Sequence, residues 1–173
     1  MSLALLCPGQ GAQHAAMFER VRDLPAARDV LEIASAALGR DVFAAAAGES
    51  RFDNALAQPL LCAATLAHWR GLREALPAPV LVAGYSIGEL AAHAVAGTFN
   101  ADTCLALAAR RAQLMDATGP ADAGLQAVLG LDRSALHALC DAHGTFVAIA
   151  NGHDHFIVGG AQASLHALAD AAR

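Results

Sequence analysis

Two short runs of apolar residues in the first half of the chain predict buried parallel strands, at Leu3–Cys7 and at residues 80–83. The segments between and after these runs repeat their apolar residues at helical spacing. One of these helices is expected to begin at Pro59, because proline is tolerated at the first helical position. Strands that alternate with helices are typical of the α/β class. The predicted helices of this part cover residues 25–38, 59–76, 89–96 and 102–118, with Asn100 or Asp102 suited to cap the last one.

The pattern changes after residues 119–124, a segment rich in glycine and proline that favours a boundary. The rest of the chain predicts a strand, a helix, two strands and a helix, which is one strand short of a ferredoxin-like β-α-β-β-α-β unit. We therefore expect two domains, an α/β core over residues 1–121 and a small, truncated ferredoxin-like subdomain over residues 122–173. The predicted elements of the subdomain cover residues 125–131, 132–143, 146–150, 155–159 and 161–172.

The charge pattern excludes several classes of function. The net charge is −5, and all 11 basic residues are scattered arginines, because the chain contains no lysine. Without a basic stripe there is nothing to neutralise phosphates, which argues against nucleic-acid binding. No uncharged run is long enough to cross a bilayer, and the N-terminus lacks the basic region of a signal peptide. These features predict a cytoplasmic protein that does not bind membranes.

The cysteines and histidines do not form a metal-binding pattern. The four cysteines lie far apart without a C-x-x-C pair, and we interpret them as small buried apolar residues. The tightest histidine pair, His153 and His155, lacks a cluster of further ligands and is interpreted as part of a turn. No metal is therefore expected.

Residues 84–88, Gly-Tyr-Ser-Ile-Gly, are typical of a nucleophile turn between a strand and a helix. Glycines two positions before and after Ser86 remove side chains where strand and helix nearly touch, and the free N–H groups of the helix face the reaction centre. The alternative is an ordinary tight turn with a capping serine. The predicted strand before the turn and helix after it favour the nucleophile.

A general base for Ser86 is not identifiable in the sequence. His93 lies two helical turns after Ser86, a rise of about 10 Å that is too long for a hydrogen bond. We interpret His93 as a surface or packed histidine.

Arg111 is the second candidate site residue. On the helix predicted over residues 102–118, it falls at the centre of an apolar face, and a buried guanidinium needs an anionic partner. One interpretation is an internal salt bridge. The other is a bidentate pair with the free carboxylate of a dicarboxylic acyl group, which would select malonyl over acetyl. The residues that define the face are Cys104, Leu107, Ala108, Leu114 and Met115.

Four motifs then occur in the order of one family. They are the loop Pro-Gly-Gln-Gly-Ala-Gln at residues 8–13, Gln58-Pro59, the nucleophile turn extended to Glu89, and Arg111 followed four residues later by Met115. With the small β-α-β-β-α segment behind them, the chain resembles the malonyl-CoA:acyl-carrier-protein acyltransferase family over essentially all of its 173 residues. The resemblance implies a hydrolase-like α/β core with a parallel sheet, incomplete here, and an inserted ferredoxin-like subdomain lacking its last strand.

The resemblance also implies a role for individual residues. Ser86 is the acylated nucleophile, the backbone N–H groups of Gln10 and Ile87 form the oxyanion hole, and Arg111 holds the malonyl carboxylate. Gln58 is implied to line the pocket, and Asn151 is implied to lie near the carrier arm.

The implied reaction is a ping-pong transfer of malonyl from malonyl-CoA to the phosphopantetheine thiol of an acyl carrier protein, without a metal or redox cofactor. The malonyl-transfer subunit of malonate decarboxylase and a stand-alone acyltransferase of a polyketide synthase fit the same motifs. Two alternatives stay open, a serine esterase or thioesterase and a non-catalytic acyltransferase-like docking fragment.

The chain departs from the family pattern in two ways. Tyr85 stands where the family usually has histidine, which leaves the turn intact but weakens the inference about acyl specificity. The catalytic histidine of the family follows the small subdomain, in a stretch that these residues do not contain. We therefore expect a fragment that is inactive without its C-terminal remainder, which is then an expected partner.

Overall fold

The structure, a computed structural model, describes residues 2–11, 13–120 and 122–173. It divides into two compact units, Met1–Ala117 and Thr118–Arg173.

The first unit places two parallel strands among helices. β1 and β2 pair in parallel, with Leu5 opposite Val82 and Cys7 opposite Gly84, so both strands end at the same edge of the sheet. The loop after β1 and the turn after β2 therefore leave the sheet side by side. The elements are β1 (Leu3–Cys7), α1 (Arg28–Leu38), α2 (Val42–Ala47), α3 (Asn54–Leu72), β2 (Pro79–Gly84), α4 (Gly88–Val95) and α5 (Ala101–Thr118), with 3-10 turns at Glu19–Val21, Pro25–Ala27 and Glu49–Phe52.

The prediction that a helix begins at Pro59 is wrong. α3 begins at Asn54, after the Asp53 carbonyl accepts the N–H groups of Leu56 and Ala57 at 2.9 and 2.8 Å. Pro59 lies in the second turn, where its ring costs the helix one backbone hydrogen bond without ending it. Because the helix starts early, Gln58 lies within a regular, deeply buried helix and not at a fraying end.

The predicted apolar face of α5 is wrong for its large residues, whereas Cys104 and Ala108 are buried as predicted. Leu107, Leu114 and Met115 are all exposed by more than 40%, and Arg111 is half-buried at the edge of the packed face and not at its centre. The prediction relied on large apolar residues. The helix packs mainly through small residues, which allow close approach but contribute little to a hydrophobicity pattern. The side chains that α5 buries are Ala101, Cys104, Leu105, Ala108 and Ala112.

The second unit has the β-α-β-β-α order that the sequence predicts. Its three strands form an antiparallel sheet in the order β3-β5-β4, and the two helices follow β3 and β5 in the chain. The elements are β3 (Ala123–Leu129), α6 (Arg133–His143), β4 (Phe146–Ala150), β5 (His155–Ala161) and α7 (Gln162–Ala171). Its core consists of Val128, Leu136, Cys140, Phe156, Val158, Leu165 and Leu168.

Two observations concern the wider surface and the thiols. Within the described residues, no helix is both long and apolar enough to cross a membrane. All four cysteines are free and buried, as predicted.

Asn100 gives a direct test of how α5 is held. Its side-chain oxygen accepts the Thr103 N–H at 2.9 Å, which makes it the N-cap of the helix. We expect Asn100→Ala to lower the free energy of unfolding by about 1 kcal/mol, because this N–H loses its partner. Asn100→Asp keeps the acceptor and is the matched control. Urea unfolding measures both variants, and an equal loss in the two would contradict the capping role.

Candidate active site

Ser86 sits in a strained turn between β2 and α4. Its φ is 55°, which makes it the one non-glycine residue with positive φ in the described part of the chain. This conformation costs about 1–2 kcal/mol for an L-residue. Hydrogen bonds close the turn, from the Gly88 N–H to the Tyr85 carbonyl at 2.9 Å and from the Glu89 N–H to the Ser86 carbonyl at 3.0 Å. The side chain that this backbone presents is exposed, as a nucleophile requires.

The two glycines of the turn are required by close backbone contacts. A Cβ on Gly84 would collide with the backbone of Gly88 and Glu89, and a Cβ on Gly88 would collide with the Cys7 carbonyl. The Tyr85 N–H donates to that same carbonyl at 3.0 Å. The ends of β1 and β2 and the start of α4 therefore meet without side chains between them, which fixes the position of Ser86.

Arg111 reaches the serine from α5. Its Nη2 donates to Ser86 Oγ at 3.2 Å, and its Nη1 donates to Gln58 Oε1 at 2.8 Å. Gln58 is fully buried, and its Nε2 contacts Met115 Sδ at 3.3 Å, so the amide oxygen is directed at the guanidinium. The structure thus brings together three residues that lie far apart in the sequence.

The partners of Arg111 are neutral groups. Among the described residues, the salt bridges join other side chains, and none of them includes Arg111. The internal salt bridge that the sequence left open is therefore not formed within these residues. No carboxylate of these residues neutralises the guanidinium, so an anionic group of a ligand would be favoured beside it.

The predicted oxyanion donors lie in the turn and in the neighbouring loop. Ile87 follows Ser86 directly, and Gln10 lies in the loop after β1. Across the described ranges, neither backbone N–H donates a hydrogen bond to another protein group. A Cβ on Gly9 would approach the Tyr85 ring at 2.7 Å, so this loop packs closely on the turn.

The side chain of Gln10 belongs to a polar network that sequence reasoning missed. Its Nε2 donates to Asn54 Oδ1 at 3.0 Å, and Asn54 Nδ2 donates to Asp116 Oδ1 at 2.7 Å. Gln10 and Asn54 are 44 positions apart, and Asn54 and Asp116 are 62 positions apart, so no local pattern predicts these contacts.

No histidine of the described chain is hydrogen-bonded to Ser86 Oγ. His93 contacts Thr98 Oγ1 at 3.5 Å, and its ring lies 6.1 Å from the Phe99 ring between centroids. Its interpretation as a surface histidine is consistent with these contacts. Within the described residues there is also no group of three or more His, Cys, Asp or Glu side chains that could hold a metal ion.

Two buried thiols near the turn, those of Cys7 and Cys62, have raised pKa values. Burial raises the pKa of the Cys7 thiol to about 11. A hydrogen bond with Cys104, and then burial, raise the pKa of the Cys62 thiol above its ordinary value. Cys62 Sγ also lies 3.9 Å from the Ile87 carbonyl. Because the thiolate is the reactive form of cysteine, a raised pKa makes both thiols less reactive, and both belong to the packed core of the first unit.

Asn151 belongs to the second unit. Its N–H donates to the His155 carbonyl at 2.9 Å, and its amide nitrogen lies 3.4 Å from His155 Nε2. These contacts close the connection between β4 and β5. The role of Asn151 near a carrier arm stays a prediction.

Comparisons with known proteins identify the family. Residues 4–173 match the family described as the acyl transferase domain. The chain is 37% identical over 175 residues to the malonyl CoA-acyl carrier protein transacylase of Mycobacterium tuberculosis, an alignment that covers 97% of this chain and 58% of that protein.

Solved structures agree with this result. The acyl-carrier-protein S-malonyltransferase of Burkholderia pseudomallei is 30% identical with a TM-score of 0.88, and the match covers 99% of this chain and 59% of that one. A malonyl-transacylase solved in complex with a type II polyketide synthase acyl-carrier protein is 26% identical, also with a TM-score of 0.88, at the same coverage. The α/β class is confirmed by these matches.

The chain spans 58% of the length of the mycobacterial relative. The predicted family resemblance is confirmed over residues 4–173 of the chain. The chain therefore belongs to the acyl transferase domain family.

Proposed function

We propose that this chain carries the acyl-accepting serine of a malonyl-CoA:acyl-carrier-protein S-malonyltransferase. Ser86 takes the malonyl group from CoA and passes it to the phosphopantetheine thiol of an acyl carrier protein. The observation that carries the proposal is the 3.2 Å contact between Arg111 Nη2 and Ser86 Oγ. It supports a site in which an acyl group on the serine meets a guanidinium.

The chemistry of malonyl fits this contact. Its free carboxylate lies one methylene beyond the carbonyl that forms the serine ester, so the carboxylate stays close to Oγ. A guanidinium binds a carboxylate through two parallel hydrogen bonds, while Gln58 holds one edge of the group. Acetyl brings no charge to this position. The preference for malonyl therefore follows from the uncompensated charge of Arg111.

The proposed reaction has two balanced halves. In the first, Ser86 Oγ bonds to the thioester carbon, the C–S bond breaks, and the serine proton passes through a base to the CoA sulfur. In the second, the carrier thiol attacks the serine ester, the C–O bond breaks, and the proton returns to Oγ. The N–H groups of Gln10 and Ile87 would hold the negative oxygen that develops in both halves. The transfer is redox-neutral and requires neither metal nor redox cofactor.

We further propose that a histidine outside residues 1–173 supplies the base. It would lie in the part of a full-length family member that the match does not cover. The exposed apolar side chains of the β1–β2 sheet support the proposal, since Leu6 is 77% and Val80 is 75% exposed, whereas parallel sheets are normally covered on both faces. The complete fold would be a hydrolase-like core with a ferredoxin-like subdomain inserted in it.

Acylation of Ser86 is the first prediction. When a polypeptide that carries the remaining part of a full-length family member is supplied, malonyl-CoA is expected to leave a malonyl ester on Ser86, measured by intact mass and peptide mapping. Ser86→Ala is expected to abolish the ester, because it removes the only atom that bonds the acyl group.

Three outcomes of this experiment differ from the expected one. Rapid release of free malonate without a thiol acceptor would indicate an esterase or thioesterase. The absence of any ester with both polypeptides present would indicate a docking fragment. Transfer to the prosthetic group of a malonate decarboxylase carrier, and not to an acyl carrier protein, would assign the serine to that system.

Acyl selectivity is the second prediction. Arg111→Ala is expected to lower kcat/KM for malonyl-CoA by about 10- to 100-fold, the loss of a charge-assisted pair, and to leave acetyl transfer nearly unchanged. Arg110→Ala is the matched control, because Arg110 is exposed on the same helix. Equal losses for malonyl and acetyl in Arg111→Ala would contradict the carboxylate clamp.

A further inference from the structure

The network around Gln10 connects the two halves of the candidate site. Gln10 lies in the loop after β1, Asn54 is the first residue of α3, and Asp116 lies on α5, the helix that carries Arg111. Gln10 Nε2 also lies 3.5 Å from the Phe52 carbonyl. A continuous path of side-chain hydrogen bonds therefore joins the loop of the proposed oxyanion donor to the helix of the proposed carboxylate clamp.

Chemistry fixes the direction of every bond in this path. An ionised carboxylate only accepts, so Asn54 must present its NH₂ group to Asp116 at 2.7 Å. Its oxygen then faces Gln10 and accepts from the Gln10 NH₂ group at 3.0 Å. The charge of Asp116 thus orients the Asn54 amide, and the Asn54 amide orients Gln10.

A second tether holds the same loop from the other side. The Gly11 N–H donates to Gln13 Oε1 at 2.6 Å, and Gln13 Nε2 donates to the Arg51 carbonyl at 3.4 Å. Both sets of hydrogen bonds reach residues 51–54, immediately before and at the start of α3. The loop is therefore held to this segment, and Asp116 adds the link to α5.

We propose that Asn54 and Asp116 are positioning residues that set the distance between the Gln10 N–H and the Arg111 guanidinium. This inference rests on the proposed function, because it concerns how the two ends of a malonyl group are held at once. A loop displaced by about 1 Å lowers the rate of an enzyme by as much as about 100-fold. The effect falls on kcat, since oxyanion donors act in the transition state.

Substitution of Asn54, alone and together with a swap of the Asn54 and Asp116 side chains, tests the hydrogen-bond path from Gln10 to Asp116. Asn54→Asp places two carboxylates at the 2.7 Å contact and removes the donor, so we expect the rate of Ser86 acylation to fall about 10- to 100-fold, with KM for malonyl-CoA changed less than about twofold. The double variant Asn54→Asp/Asp116→Asn restores a carboxylate that accepts from both neighbours, and it is expected to recover the rate to within about threefold. Asp102→Asn is the matched control, because it removes an exposed charge elsewhere on α5.

A second measurement does not depend on the reaction. Amide hydrogen exchange of residues 9–11 is expected to accelerate at least about threefold in Asn54→Asp and to return to the wild-type rate in the double variant. Thermal unfolding identifies any variant that fails to fold, and the double variant then still decides the question.

Two results would overturn the proposal. One is an Asn54→Asp variant with wild-type exchange of the loop and wild-type acylation. The other is a folded double variant that recovers neither quantity. If the wild-type protein forms no malonyl ester under any condition, the proposed function fails, and the exchange measurement alone decides whether the loop is tethered through Asn54.

Discussion

One guanidinium, hydrogen-bonded to a serine hydroxyl, joins the parts of the candidate site. Arg111 is half-buried at the border of the packed face of α5, and an anion that reached it would be attracted more strongly than in bulk water. Gln58 directs the group without neutralising it. Had an internal carboxylate paired with Arg111, the proposed selection of a diacid would have no electrostatic basis. The other features of the site position this charge and the nucleophile.

The secondary structure of the chain was largely predictable. Apolar runs identify β1 and the core of β2, and the glycine spacing around Ser86 indicates the turn, because short-range constraints of backbone and packing dictate these features. Pro59 misled the prediction of α3, since that helix begins at Asn54, five residues earlier. The buried face of α5 was also misjudged. Three alanines and a cysteine make most of this face, and a hydrophobicity pattern weights Leu and Met above alanine.

The candidate site was predictable only in part, because several of its contacts join residues that are distant in the sequence. Ser86 and Arg111 were singled out by local patterns, and the structure places their side chains in contact. The functions of Gln10, Ile87, Gln58 and Asn151 come from the family resemblance and stay predictions. Asn54 and Asp116 carry no signal in the sequence, because surface amides and carboxylates are common and their pairing depends on three distant elements meeting in space.

The crossing of backbones at Gly84 and Gly88 has a mechanical consequence. Packed protein interiors transmit strain, because they leave little free volume. Here the end of β1 touches the start of α4 with nothing in between. A displacement of the end of β1 would therefore shift the turn that carries the Ser86 hydroxyl. A contact on the exposed side chains of this sheet would thus bear on the alignment of the proposed nucleophile, even where it touches no reacting atom.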